Sequence, residues 1–174
     1  MQTNETIIRP ATKADLPALG RLGALLVRTH HAFDQDRFMA PRPHADEGYA
    51  WFLGTQLGQD DTVIFVAERA GQVLGYVYAG IEPLNWKELR DEAGFIHDIV
   101  VDEKGRRTGL AAVLIQHAID WLRERGMPRA VLWTADQNNA AQQLFTRLGF
   151  RRTMVEMTME LNWAPVARTL EDAR

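Results

Sequence analysis

The sequence predicts an α/β fold of the mixed-sheet, α+β kind, and three observations carry that reading. Thr62–Glu68 and Gln72–Gly80 are β-rich runs with Ala70 and Gly71 between them. Phe95–Val101 is a nearly unbroken apolar run, as a strand covered on both faces requires. Beyond it, two helical patterns flank a short apolar run, Val131–Thr134.

Taken in order, Ile7–Arg9 reads as a short strand. Thr12 then caps a helix with Asp15 and Pro17 in its first turn and Leu16, Leu19, Leu22, Leu25 and Leu26 at helical spacing. His30–Pro43 contains two prolines and no clean periodicity, so it reads as a loop or broken helix. Ala45–Leu57 is expected to be a second helix that buries Trp51, Phe52 and Leu57. The Ala70-Gly71 pair predicts an antiparallel hairpin, and Glu82–Gly94 a charged, exposed loop.

Leu110, Val113, Leu114, Ala118 and Trp121 form one helical stripe, closed by Arg123 and Arg125, with Gly126 as C-cap and Pro128 beyond. Asn138–Leu148 is a helix stopped by Gly149. Arg152–Leu161 is expected to be a last strand, with Met154, Glu156, Thr158 and Glu160 on one parity. Its methionines, Met154, Met157 and Met159, offer apolar surface for a homodimer. One domain is expected over residues 1–174, with its core at 7–161 and a loose tail at 162–174.

Composition narrows the function. No apolar run approaches the roughly 20 residues that span a bilayer, and Met1–Ile8 lacks the basic start and apolar stretch of a signal peptide. A soluble, cytoplasmic protein without a membrane partner is expected. The absence of cysteine removes disulfides, thiol nucleophiles and thiolate metal sites. A net charge of -3 without a long lysine or arginine block argues against a nucleic-acid partner. His30, His31 and His44 match no strong ligand spacing, so no metal is expected.

A strand ending at Val101, a short turn and a helix starting near Gly109 gather free backbone N–H groups at one point, where the helix dipole also favours an anion. Gly105 and Gly109 allow the chain to turn tightly and approach a ligand, Ala111 keeps the next contact small, and Arg106 and Arg107 add charge. The same residues would also make an ordinary tight turn. A Walker loop is ruled out because Leu110 and Ala111 follow Gly109, and a dinucleotide fingerprint lacks its third glycine.

The run Val101-Asp102-Glu103-Lys104-Gly105-Arg106-Arg107-Thr108-Gly109-Leu110-Ala111 resembles the acetyl-CoA loop of the GNAT superfamily, whose core is Arg or Gln, two residues, Gly, one residue, then Gly or Ala. Asn138, Ala141, Leu144, Phe145, Leu148, Gly149 and Phe150 resemble its second motif. The resemblance covers Ile7–Leu161 and implies a central, mostly antiparallel twisted sheet, flanked by helices and splayed at the acetyl-CoA strand. It implies acetyl-CoA as co-substrate and a primary amine of a small molecule or peptide as acceptor. Backbone groups of Ile99, Val100 and Val101 would pair with the pantetheine arm. Arg106, Arg107, Thr108, Gly109, Leu110, Ala111 and Ala112 would wrap the pyrophosphate. Asn138 would contact the cofactor, and it also suits an N-cap.

Acetyl transfer needs a neutral amine, a polarised carbonyl and a stabilised thiolate. His97 is the preferred base, with Asp98 as the other candidate, although strict alternation puts them on opposite faces unless the strand is distorted. Each also suits a purely structural role. The tyrosine that relatives place after Leu144 is Phe145 here, and Tyr76 and Tyr78 are substitutes in principle. Ile99 N–H would polarise the carbonyl. The acceptor would rest on Arg28–Pro43 and Glu82–Gly94, with Trp51 and Trp86 either walling that pocket or filling the core and its edge. The rival to an enzyme is a non-catalytic acetyl-CoA sensor.

Overall fold

A computed structural model describes residues 5–161. Strand β1 (Thr6–Pro10) leads through a 3-10 turn into α1 (Leu16–Phe33), followed by α2 (Ala45–Gln56), β2 (Thr62–Arg69), β3 (Gln72–Glu82), β4 (Ala93–Val101), α3 (Leu110–Glu124), β5 (Ala130–Leu132) and α4 (Asn139–Arg147). The sheet order is β1-β2-β3-β4-β5. The first three pairings are antiparallel and β4–β5 is parallel, so the predicted mixed, mostly antiparallel sheet is observed. The hairpin forms at Ala70-Gly71, where φ is 49° and 76°, the two positive values that a type I′ turn demands.

Each sheet face has its own core. Leu74, Val77, Ala79, Ile96, Leu114 and Phe145 are buried on the α3–α4 side. Leu19, Leu22, Leu53, Val66, Tyr76 and Val100 are buried on the α1–α2 side. At the start of α1, Asp15 accepts hydrogen bonds from Thr12 N–H (2.7 Å) and from Arg9, which also bonds Glu68. Close approach of α2 depends on two glycines of α1. A Cβ at Gly20 would lie 2.2 Å from the carbonyl oxygen of Asp46, and one at Gly23 would lie 2.0 Å from the Tyr49 ring.

Four expectations change. Helix α1 continues through His30 to Phe33, where Asp34 is the C-cap, because the prolines of this stretch stand only at 41 and 43 and leave the last turn of the helix undisturbed. Trp51 is 73% exposed and Phe52 sits at the surface. The phase of α2 is set by Tyr49 and Ala50 against the α1 glycines and by Leu53, which is fully buried; Leu57 is the partly buried C-cap. Trp86 also stands exposed, so neither tryptophan fills a core. Finally, Arg152–Leu161 forms no strand and is exposed throughout, methionines included. Strand β5 is only three residues long and offers no ladder to satisfy a neighbour's backbone. Arg37 reaches this segment by an ion pair with Glu156. The tail expected at 162–174 lies outside the described residues.

Candidate active site

The site is organised by two irregularities of β4. First, β4 pairs with β5 only over Gly94–Ile96 but continues to Val101, so a wedge opens between the strands. Asp102 N–H donates to Leu74 O on β3 (2.7 Å), while Gly94 N–H donates to Arg129 O on the other side. Alternation along β4 from Asp102 then turns the N–H groups of Ile99 and Val101 into the wedge.

Second, the register against β3 slips: Tyr78 faces Asp98 but Ala79 faces Ile96, leaving His97 as the extra residue of a bulge. A bulge resets side-chain parity, which meets the condition left open in the sequence. Asp98 accepts hydrogen bonds on Oδ2 from Tyr49 (2.7 Å) and Tyr76 (3.0 Å). His97 stacks between Tyr78 and Phe95, at 4.6 and 5.0 Å between centroids, and its Nε2 lies 3.2 Å from Glu82 Oε1. Both side chains therefore join the α1–α2 side.

Burial sets their protonation. It lowers the His97 pKa below its usual 6.5 against the opposing pull of Glu82 and Asp98, so the imidazole is neutral at physiological pH. Burial raises Asp98 despite the hydroxyls that favour its charged form. Tyr49 and Tyr76 are raised by burial and then by the charge of Asp98, which makes them donors to a carboxylate and poor acids. Tyr78 is pushed up to about 12 by burial, then by Asp98, Glu82 and Asp61, and donates to Gln56 Oε1 at 2.9 Å.

An open cleft of 390 Å³ adjoins Glu82, lined among others by Thr55, Gln56, Asp61, Thr62 and Tyr78, without an arginine or lysine. Of the two acceptor segments named from the sequence, it touches only the first residues of Glu82–Gly94. The signal that could have found the rest is the alternation of Tyr76, Tyr78, Gly80 and Glu82 along one strand face.

On the other side, Asp102 caps a 3-10 turn, accepting from Lys104 N–H, and pairs with Arg21 of α1. Gly105 is buried, and a Cβ there would lie 2.9 Å from Val101. Arg107 and Gly109 adopt positive φ, 62° and 81°, and Gly109 precedes α3 with no side-chain cap. The N–H groups of Leu110, Ala111 and Ala112 in the first helical turn thus keep their capacity for an anion, with Arg106 and Thr108 beside them. Asn138 is the N-cap of α4, accepting from Ala141 N–H at 3.2 Å. Phe145 is buried beside Phe150. Thr134 Oγ1, just beyond β5, is buried without a hydrogen-bond partner.

The acetyltransferase (GNAT) family model matches residues 26–150. The chain belongs to that family. Among GNAT relatives, a mycothiol acetyltransferase of Cellulomonas flavigena is 31% identical over 74% of this chain and 35% of its own length. An uncharacterised N-acetyltransferase of Methanocaldococcus jannaschii is 31% identical over 60% of this chain and 46% of its own. The chain thus spans less than half the length of these relatives. An aminoglycoside N-acetyltransferase solved in complex with coenzyme A has the same fold, with a TM-score of 0.72 at 21% identity over 91% of this chain and 96% of that one. The GNAT acetyl donor is acetyl-CoA, and two features of this chain suit such a ligand: edge N–H groups in a wedge and a helix start without a side-chain cap. No helix among the described residues is long and apolar enough to cross a membrane.

Proposed function

We propose that residues 7–161 form one acetyl-CoA-dependent N-acetyltransferase domain, working in the cytoplasm on a primary amine of a small molecule or peptide by direct attack in a ternary complex. The observation that carries this reading is the β4 bulge, which sets neutral His97 and the carboxyl of Asp98 on one sheet face beside the wedge. Asp61, Glu82 and Asp98 all act on Tyr78, and no arginine or lysine lines the adjoining cleft. That field draws in a cation.

His97, oriented by Glu82, takes the proton that the amine must shed. The amine nitrogen bonds to the carbonyl carbon, the C–S bond breaks, and its electron pair leaves on sulfur. Ile99 N–H polarises the carbonyl oxygen from the wedge. The pyrophosphate rests on Arg106–Ala112, and the arm runs along Ile99, Val100 and Val101, near Asn138. With Phe145 in the family's tyrosine position, the departing thiolate draws its proton from solvent.

Phe145 also favours one other reading, a non-catalytic sensor of acetyl-CoA. The test is release of free thiol from acetyl-CoA over a broad panel of amines. Turnover with an amine present, and none without it, is expected. Tight acetyl-CoA binding with no turnover on any amine would overturn the enzyme and favour the sensor.

A further inference from the structure

Among the described residues, Thr134 Oγ1 is the buried side-chain polar atom without a hydrogen-bond partner. A buried hydroxyl that forfeits water and gains nothing in return destabilises the fold. Its place explains the cost. β4 and β5 run parallel with Ile96 opposite Leu132, and extending that register by two residues sets Thr134 across the widening wedge from Asp98–Ile99. That is the depth at which His97 and Asp98 stand, and therefore the depth of the reacting carbon and its sulfur in the proposed ternary complex. Other polar groups are already committed: Asn138, four residues beyond Thr134, to its helix cap, and Tyr49 and Tyr76 to Asp98. Phe145 has no hydroxyl to offer.

We propose that the Thr134 hydroxyl donates a hydrogen bond to the sulfur of coenzyme A as negative charge develops on it, a positioning and charge-stabilising role that rests on the acetyl-CoA reading above. Threonine keeps its proton throughout. The electron pair of the broken C–S bond stays on sulfur, held by the O–H until solvent protonates it. A hydroxyl is too weak an acid to protonate a thiolate, and hydrogen bonds to charged acceptors are the stronger kind.

The decisive measurement is the ionisation of the bound thiol. Coenzyme A would be titrated on the full chain while its thiolate absorbance is followed, and its affinity compared with that of the desulfo analogue, for the natural protein, Thr134→Val and Thr134→Ser. The natural protein should hold the thiol below its free value of about 8.5. Thr134→Val, nearly isosteric, should raise that pKa and weaken thiolate binding about tenfold, the scale of one hydrogen bond to a charge, while leaving the desulfo analogue unaffected. Thr134→Ser should restore both. Thr134→Val should also melt higher without ligand, because an unsatisfied hydroxyl has gone. An unmoved thiol pKa, or equal losses for both ligands, overturns the assignment while sparing the cofactor site. Failure of the natural protein to bind coenzyme A at all sinks the cofactor reading and this assignment together.

Discussion

The two faces of β4 are built by different means. The side proposed for the pyrophosphate is assembled from one contiguous stretch, Val101–Ala112, where strand, turn and helix start follow one another. The side proposed for the acceptor is assembled from residues far apart: Tyr49 from α2, Tyr76, Tyr78 and Glu82 from β3, His97 and Asp98 from β4. A local device tolerates changes elsewhere in the fold. A composite one depends on how the layers are spaced, and here that spacing rests on two glycines of α1.

The sharpest break of this comparison is His97→Gln. It should lower kcat/KM for the amine by about 10²–10⁴, the usual worth of a general base, while the dissociation constant of acetyl-CoA stays put. In the natural protein the rate should fall with unit slope as pH drops through the His97 pKa, which lies below 6.5, because protonation removes the base. That acid limb should vanish in the variant. A limb that survives the substitution assigns the base to another group.

Arg106→Gln probes the opposite face. Loss of one charge-assisted contact to phosphate should weaken acetyl-CoA about tenfold, more at low ionic strength, and leave the KM for the amine unchanged. Calorimetry at two salt concentrations decides it; no salt dependence would mean that Arg106 does not meet a phosphate.

Gly23→Ala tests the composite character directly. Its Cβ would overlap the Tyr49 ring, so α2 must shift, costing about 1–3 kcal/mol of stability as overpacking does. Tyr49 then loses Asp98, and the KM for the amine should rise with acetyl-CoA affinity intact. Urea unfolding and steady-state kinetics give the two numbers.

The smallest effect belongs to a site remote from both faces. Ala70 holds positive φ in the β2–β3 turn, a conformation that costs a residue with a Cβ about 1 kcal/mol. Ala70→Asn should recover most of it and change neither ligand constant. If it shifts either one, the scaffold and the site are coupled in a way the geometry gives no reason to expect.

The contrast also explains what could be read from the chain. Contiguity made the Val101–Ala112 loop, the Asn138 cap and the helix that follows Gly109 legible from spacing alone. The bulge at His97 was not, because it is a property of pairing with β3 and leaves no mark in β4 itself. Nor was the phase of α2: Trp51 and Phe52 look like core residues until Gly20 and Gly23 fix which side of the helix faces inward. The last strand failed for the converse reason, since Arg152–Leu161 has a strand-like pattern but β5 is too short to pair with it.

The wedge between β4 and β5 bears on the order of events. If donor and acceptor reach β4 from different directions, neither blocks the other's doorway, and no acetylated protein is needed as a way station. Initial-rate lines at several amine concentrations should then intersect rather than run parallel. A dead-end amine analogue should leave the entry of acetyl-CoA unobstructed, so adding more acetyl-CoA will not chase it off.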